Sequence, residues 1–191
     1  MPSLSVRSQA AVGVALIGLI VLTRGYHVTT LAHVLPEASW AAFFLAGVYL
    51  RAVWAPALLF AVAALLDYTA VTWGGVSDFC LSPAYVALLP AYATLWLAGR
   101  WYAGRHRFAA VTLPSLALSV IVGSLACELI SSGSFHFYSG RIADPTAAGF
   151  ADAFVRYFPA SLLAMAFWVV VAALVHTAIV RAQNRATNVA R

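Results

Sequence analysis

The sequence predicts an all-α integral membrane protein with six transmembrane helices. Of its 191 residues, 63% are hydrophobic and only 9% are charged, whereas a soluble domain is about half apolar and about a quarter charged. Length sets a second limit, because crossing ~30 Å of hydrocarbon takes ~20 helical residues. The chain therefore has room for six or seven spans and none for a separate soluble domain, so residues 1–191 are expected to form one transmembrane domain.

Six apolar segments bounded by Arg, Pro and Gly give the predicted spans. They are 8–23, 34–50, 52–73, 81–99, 108–130 and 154–180. The first resembles a signal peptide, but its apolar part is long and no strong small-x-small cleavage site follows it, so a retained helix is expected. The second apolar run, 37–50, is short because Pro36 and Arg51 bound it, so its helix is expected either to start a few residues earlier or to be incompletely inserted.

Arginine alone supplies the positive charge of the chain, which contains no lysine and has a formal net charge of +5. If the N-terminus is inside, the cytoplasmic side receives Arg7, Arg51, Arg100, Arg105, Arg107, Arg181, Arg185 and Arg191, and the other side Arg24, Arg141 and Arg156. This asymmetry predicts that both termini lie in the cytoplasm. Membrane topology explains these arginines better than binding to nucleic acid does.

The polar chemistry of the chain concentrates at the predicted outer face. The expected outer loops, about 24–36, 74–80 and 131–153, are rich in histidine, tyrosine and acidic residues, which indicates an outward-facing, loop-lined pocket. Asp67 lies well inside an apolar segment, where a carboxylate needs a partner or a wet cavity. Pairing with Arg24 or Arg156 and a place at a ligand cavity both remain open.

Cys80 stands in the stretch Asp78-Phe79-Cys80-Leu81-Ser82-Pro83-Ala84-Tyr85, between two long apolar segments. A soft sulfur at the mouth of a membrane bundle suits a transition metal or a metal-containing ligand. The alternative is a disulfide with Cys127, since both cysteines are predicted near the outer side. No H-x-x-x-H or C-x-x-C spacing indicates a zinc site, and no G-x-x-x-x-G-K-[ST] loop indicates ATP hydrolysis.

The chain's size, six predicted spans, polar outer pocket and Cys80-to-Tyr85 segment resemble the BtuM-like cobalamin transporters. These are related to the substrate-binding S-components of energy-coupling factor (ECF) transporters. The resemblance implies an S-component-like bundle in which Cys80 is the axial ligand to the cobalt of cobalamin and Asp67 and Tyr85 line the corrin pocket. It also implies that Cys80 removes the cyano ligand of cyanocobalamin, which would make it a catalytic residue.

The coordination chemistry of cobalamin agrees with a single protein ligand, because the corrin fills four equatorial positions and leaves two axial sites. A large amphiphilic corrin needs an apolar, aromatic cavity with scattered hydrogen-bonding groups. Residues able to supply that mixture are Asp67, Phe79, Tyr85, Phe135, Phe137, Tyr138 and Arg156. Tyr85 could instead anchor the chain at the membrane interface, and Arg156 could cap the last helix.

Ala11 and Ala15 lie one turn apart in the first span, a small-x-x-x-small pattern that permits close helix approach. S-components generally use such patterns to dock a transmembrane coupling subunit, so the resemblance implies an ECF coupling module as a partner. Whether uptake depends on that module stays open.

Two other function classes remain open from the sequence. A membrane thiol oxidoreductase would use Cys80 and Cys127 as a redox pair, although the usual C-x-x-C arrangement is missing. A non-enzymatic membrane scaffold would bind no small ligand.

Overall fold

The protein folds into a bundle of helices. The computed structural model describes residues 5–24, 35–106 and 110–189, without the side chains of Cys80, residue 110 and residues 186–189. In these ranges it has six α-helices, three short 3₁₀ helices and no strand. The α-helices are α1 (Val6–Arg24), α2 (Ser39–Tyr49), α3 (Ala55–Trp73), α4 (Leu88–Arg105), α5 (Leu113–Tyr138) and α6 (Ala147–Val189).

Four of these helices, α1, α3, α5 and α6, are long and apolar enough to cross a membrane. Their apolar side chains are largely not used for packing within the protein. Leu65, Leu163 and Leu174, for example, are 62%, 70% and 67% exposed. Long apolar helices with exposed leucines are expected where lipid surrounds the protein, so the all-helical, membrane-embedded class predicted from the sequence is supported at this level.

The shortest helix, α2, occupies the centre of the bundle and contacts α1, α3, α4 and α6. It has 11 residues, which is about 16 Å of helix and roughly half the hydrocarbon thickness. Residues 41–46 are almost completely buried. The span predicted at 34–50 is therefore a helix that begins only at Ser39, and residue 34 lies outside the described ranges.

Local hydrogen bonds explain where α2 begins. The Glu37 carboxylate accepts from the backbone N–H of Ser39 at 3.0 Å, and Thr23 Oγ1 accepts from the N–H of Ala38 at 3.1 Å. These two side chains satisfy amide groups that have no partner inside the helix. The preceding chain is fixed by Trp168 of α6, whose Nε1 donates to Pro36 O at 2.9 Å.

A pair of glycines brings α2 and α4 into backbone contact. A Cβ added to Gly47 would collide with Trp96 O, and one added to Gly99 would collide with Phe44 O. Each helix therefore rests its backbone against a glycine of the other, which is how small residues tighten helix packing in membranes.

The helices α5 and α6 extend further towards the predicted outer face than the sequence indicated. The span predicted at 108–130 is a helix that continues to Tyr138, and the one predicted at 154–180 begins at Ala147. Serine-rich residues 131–134 look like a loop in the sequence, but Ser131 Oγ donates to Cys127 O at 2.8 Å within the helix. The connection between α5 and α6 thus shrinks to residues 139–146.

Successive helices alternate in direction, so the C-terminal ends of α1, α3 and α5 meet the N-terminal ends of α2, α4 and α6. At the opposite end, Gln9 Oε1 accepts from the N–H of Arg51 at 3.0 Å, and Arg100 Nη1 donates to Leu50 O at 2.9 Å. The rings of His106 and His176 also meet there. The structure therefore has two chemically different ends, and the arginine-rich end is opposite to the site described next.

Candidate functional site: a cavity at one end of the bundle

A cavity of about 510 Å³ opens where the ends of five α-helices and the 79–88 segment converge. Its volume falls in the range of small-molecule sites, roughly 300–1,000 Å³. The wall is formed by Arg24, Asp67, Phe79, Ala84, Tyr85, Leu88, Tyr92, Ser131, Ser132, Phe135, His136, Ile142, Phe150, Ala153 and Tyr157. Most of this wall is helical, not loop as expected, because α5 and α6 extend beyond their predicted ends.

The wall combines aromatic rings with a small set of charges. Six of its residues are phenylalanine or tyrosine, and Arg24 and Asp67 are its ionic groups. Two other grooves have no charged residue among the described residues of their walls. One, of about 450 Å³, is lined by residues of α4 and α5. The other, of about 360 Å³, is lined by residues of α1, α3 and the chain between α2 and α3. The cavity at the bundle end is therefore the stronger candidate for a polar or amphiphilic ligand.

Asp67 forms a two-point ion pair with Arg24. Arg24 Nε donates to Oδ1 and Nη2 donates to Oδ2, both at 2.7 Å. The two side chains are only 16% and 23% exposed, and paired planar geometry of this kind gives strong, directional hydrogen bonds. Of the alternatives left open by the sequence, the structure shows both the pairing with Arg24 and a place for Asp67 in the cavity wall.

Arg24 also joins α1 to the start of α2 and to α4. Its Nη1 donates to Ser39 Oγ at 3.1 Å, to Tyr92 OH at 3.4 Å and to Glu37 Oε1 at 3.4 Å. Together with its bonds to Asp67 on α3, one guanidinium thus holds four helices together at the cavity, and its five donors are suited to this role.

Tyr85 completes the polar edge of the cavity. Its hydroxyl donates to Asp67 Oδ2 at 2.7 Å, and its ring packs at a tilt against Phe60 with 6.1 Å between centroids. Asp67 therefore bridges Arg24 on one side and Tyr85 on the other. The 3₁₀ helix Pro83–Ala87 presents this tyrosine.

The Cys80 segment runs along the rim of the cavity. Residues Asp78–Cys80 form a 3₁₀ helix whose start is capped by Ser77, and Leu81 N–H closes it on Asp78 O at 2.8 Å. Phe79 and Ala84 both line the cavity. The backbone at residue 80 follows Phe79 directly and precedes Ala84 by four residues, so it lies between two lining positions. The side chain of Cys80, with its proposed ligand role, lies outside what the structure describes.

This segment is tied to the far wall by a surface pair and an aromatic contact. Arg141 Nη2 donates to Asp78 Oδ2 at 3.1 Å, and the rings of Phe79 and Phe135 lie 5.3 Å apart. The Arg141–Asp78 pair is largely solvent-exposed, and such pairs contribute little to stability. The aromatic contact is therefore the firmer link between the Cys80 segment and α5.

Three of the predicted binding residues, Phe137, Tyr138 and Arg156, are not in the cavity wall. Tyr138 is 76% exposed, and Arg156 is an exposed residue of α6. The neighbour of Arg156, Tyr157, lines the cavity instead, together with Phe150 and Ala153. The i, i+3, i+7 spacing of these three residues places them on one helix face, and this pattern in the sequence could have identified them.

The remaining predicted residues have clear positions. Cys127 is a free, completely buried thiol in α5. Ala11 and Ala15 are exposed on α1. Among the described residues, no group of three or more His, Cys, Asp or Glu side chains could hold a bare metal ion.

Fold and site together define a helical membrane protein with an aromatic-walled cavity at one end and a two-point ion pair at the cavity edge. No protein-family model and no curated protein matches the chain.

Proposed function

We propose that this protein binds cobalamin at the outer face of the bacterial inner membrane and takes part in its uptake. The observation that carries the proposal is the aromatic cavity that lies directly against the Cys80-to-Tyr85 segment. A corrin presents a broad apolar ring system with amides at its edge. Aromatic faces suit the ring, and the hydroxyls of Ser131, Ser132 and Tyr92 on the same wall suit the amides.

The cavity volume favours partial enclosure of this ligand. About 510 Å³ accommodates a face of the corrin and not a whole cobalamin with its nucleotide loop. The cobalt at the ring centre would then face the rim, where residue 80 lies between Phe79 and Ala84. One axial protein ligand is sufficient, because the corrin itself fills the four equatorial positions.

Decyanation follows from ligand exchange at that position. The Cys80 thiol loses its proton, a cobalt–sulfur bond forms, the cobalt–cyanide bond breaks with its electron pair on cyanide, and cyanide takes the proton and leaves as hydrogen cyanide. The cobalt keeps its oxidation state, so no external reductant is needed. A thiolate is a softer donor than water or a hydroxyl and therefore binds a transition metal more strongly.

The direct test is binding of cyanocobalamin to the purified protein, measured by equilibrium dialysis and by the absorption spectrum that remains with the protein. We expect bound corrin in the wild type. A protein that binds none, with a redox-active Cys80–Cys127 pair, would be an oxidoreductase, and one with neither property would be a scaffold.

The same assay, on an Asp67→Asn variant, tests the cavity edge. We expect weaker binding and also a loss of folding stability of about 2 kcal/mol, since breaking a fully buried pair costs about 3–5 kcal/mol and this one is partly accessible. Stability, measured by thermal unfolding in detergent, should recover in part in the Arg24→Gln/Asp67→Asn double variant, which removes both charges of the two-point pair and leaves only the partly exposed Glu37 carboxylate without its partner.

Tyr85→Phe provides the matched control, because it removes the hydroxyl that donates to Asp67 Oδ2 but leaves both charges of the ion pair in place. It should weaken cobalamin binding about fivefold, the worth of about one hydrogen bond, with little change in unfolding temperature. Wild-type affinity in both Tyr85→Phe and the stable double variant would restrict Asp67 to a structural role.

For topology, we propose six membrane crossings with both termini in the cytoplasm. The alternating helix directions support it, and so does the position of Arg7, Arg51, Arg100 and Arg105 at the end opposite to the cavity. Reporter fusions after Arg51, after Arg105 and at the C-terminus should all indicate cytoplasm. A fusion near Ala143 should indicate the outer side, and a cytoplasmic signal there would refute the orientation.

An ECF coupling module is the partner proposed for uptake. Ala11 and Ala15 support this proposal because they are exposed on the same face of α1, where a small-residue strip would let another helix approach closely.

A further inference from the structure

Glu128 is a buried acid in a membrane-spanning helix. It is 4% exposed and lies ten residues before the end of α5 at Tyr138, about 15 Å along the helix axis. Its Oε1 lies 2.6 Å from Ser132 Oγ, one turn nearer the cavity. Ser132 is itself part of the cavity wall.

No positive charge neutralises this carboxyl group within the described ranges. The ion pairs there join Arg24 to Glu37 and Asp67, and Arg141 to Asp78. An ionised, unpaired carboxylate inside a membrane helix is costly, and such groups commonly serve binding or proton transfer.

We infer that Glu128 is a proton-binding site that controls the hydrogen bonding of the cavity wall through Ser132. This inference rests on the proposed function for the identity of the ligand. When Glu128 is ionised, the Ser132 hydroxyl must donate its hydrogen to the carboxylate and offers the cavity only an acceptor. When Glu128 is protonated, its own O–H donates to Ser132 Oγ, and the hydroxyl hydrogen of Ser132 is free to donate into the cavity.

This wall selects ligands that carry amide carbonyl acceptors at their own edge, as a corrin does. Such a ligand binds the protonated form of Glu128 more tightly. Its affinity therefore falls as rising pH removes the proton, by about fivefold for the loss of one hydrogen bond.

Other titratable groups also face this region and must be distinguished from Glu128. From the elements packed around this region they are Arg24 on α1, Glu37 just before α2, Asp67 on α3, Tyr85 on the 3₁₀ helix, Tyr92 on α4, Tyr157 on α6, and Cys127 and His136 on α5. Arg24 and Asp67 are paired with each other. His136, whose Nε2 lies 3.0 Å from Thr146 O, belongs to the residue type that most often exchanges a proton near neutral pH.

Infrared spectroscopy of the ligand-free protein tests the proton site by itself. We expect a protonated-carboxyl C=O stretch at neutral pH that disappears in Glu128→Gln, shifts in Ser132→Ala and is unchanged in Asp152→Asn, which alters an exposed acid at the same end. A wild-type spectrum without this band, or a band unaffected by Glu128→Gln, would overturn the inference.

Cyanocobalamin binding from neutral to alkaline pH tests the link to the cavity. Affinity should fall about fivefold in the wild type and stay constant in Glu128→Gln, whose amide donates to Ser132 at every pH. A pH dependence that persists in Glu128→Gln, or that disappears instead in His136→Gln, would refute the link. If cyanocobalamin does not bind at all while the infrared band responds to Glu128→Gln and Ser132→Ala, the proton site stands and the proposed function fails.

Discussion

Replacing Cys80 with alanine is expected to abolish the cobalt–sulfur absorption of bound cobalamin and any decyanation of cyanocobalamin. Coordination deprotonates a thiol outright, and a nearby cobalt favours the thiolate. Cys80→Ser should behave in the same way, because a neutral hydroxyl is a harder and weaker ligand. Both variants should retain some corrin, since the aromatic wall of the cavity is unchanged. The measurement is the visible spectrum of the purified complex together with cyanide release.

Cys127→Ala is the matched control for this prediction. Cys127 is free and completely buried in α5, where a thiol behaves as a small apolar group. Its removal should leave the bound-cobalamin spectrum and cyanide release intact. Equal losses in the Cys80 and Cys127 variants would favour a redox pair, and unchanged spectra in both would rule out a thiolate–cobalt bond.

The sequence was sufficient to predict an all-helical protein with long apolar helices, because overall composition and hydropathy do not depend on where each helix begins and ends. The 63% hydrophobic content and the long apolar segments correspond to four helices with the length and apolar character to cross a membrane. Helix ends were harder to predict. Ser131 and Ser132 are turn-forming residues in general, but here their hydroxyls bond to a carbonyl and to a side chain one turn earlier. The helix therefore continues through them.

Part of the candidate site could be predicted from the sequence. An acid inside an apolar segment drew attention to Asp67, and the structure places it in the cavity wall. Its partner could not be chosen from the sequence, because Arg24 lies 43 residues away and Arg156 was equally plausible by charge. Periodicity on α6 would have favoured Tyr157 over Arg156, since only Tyr157 shares a face with Phe150 and Ala153.

The surroundings of Glu128 could not be predicted from the sequence, for a different reason. The sequence places an acid beside Cys127, but its environment depends on which side of α5 faces the cavity. That orientation is set by packing against both α4 and α6. On the α6 side, Ser124 Oγ donates to Met165 Sδ at 2.8 Å. Ser124, Glu128, Ser131 and Ser132 have the spacing of one helix face, so the face that meets α6 also leads up to the cavity.

The largest expected effect on folding comes from the glycine contact between α2 and α4. Gly47→Ala places a methyl group against Trp96 O, and Gly99→Ala places one against Phe44 O. Both obstacles are backbone atoms, which cannot rotate away as a side chain would, so the two helices must separate. We expect each substitution to destabilise the protein on the order of 3 kcal/mol and the double variant to yield little folded protein.

Gly104→Ala is the matched control, because Gly104 also lies in α4 and a Cβ there would meet nothing within 4 Å. It should fold as well as the wild type or slightly better, since alanine favours a helix over glycine by about 1 kcal/mol. Thermal unfolding in detergent and the monodisperse fraction in size-exclusion chromatography measure both outcomes. Because α2 also carries Ser39, which bonds Arg24 at the cavity edge, any folded Gly99→Ala protein should bind cobalamin weakly. Wild-type stability in Gly47→Ala and Gly99→Ala would show that α2 and α4 are not in backbone contact.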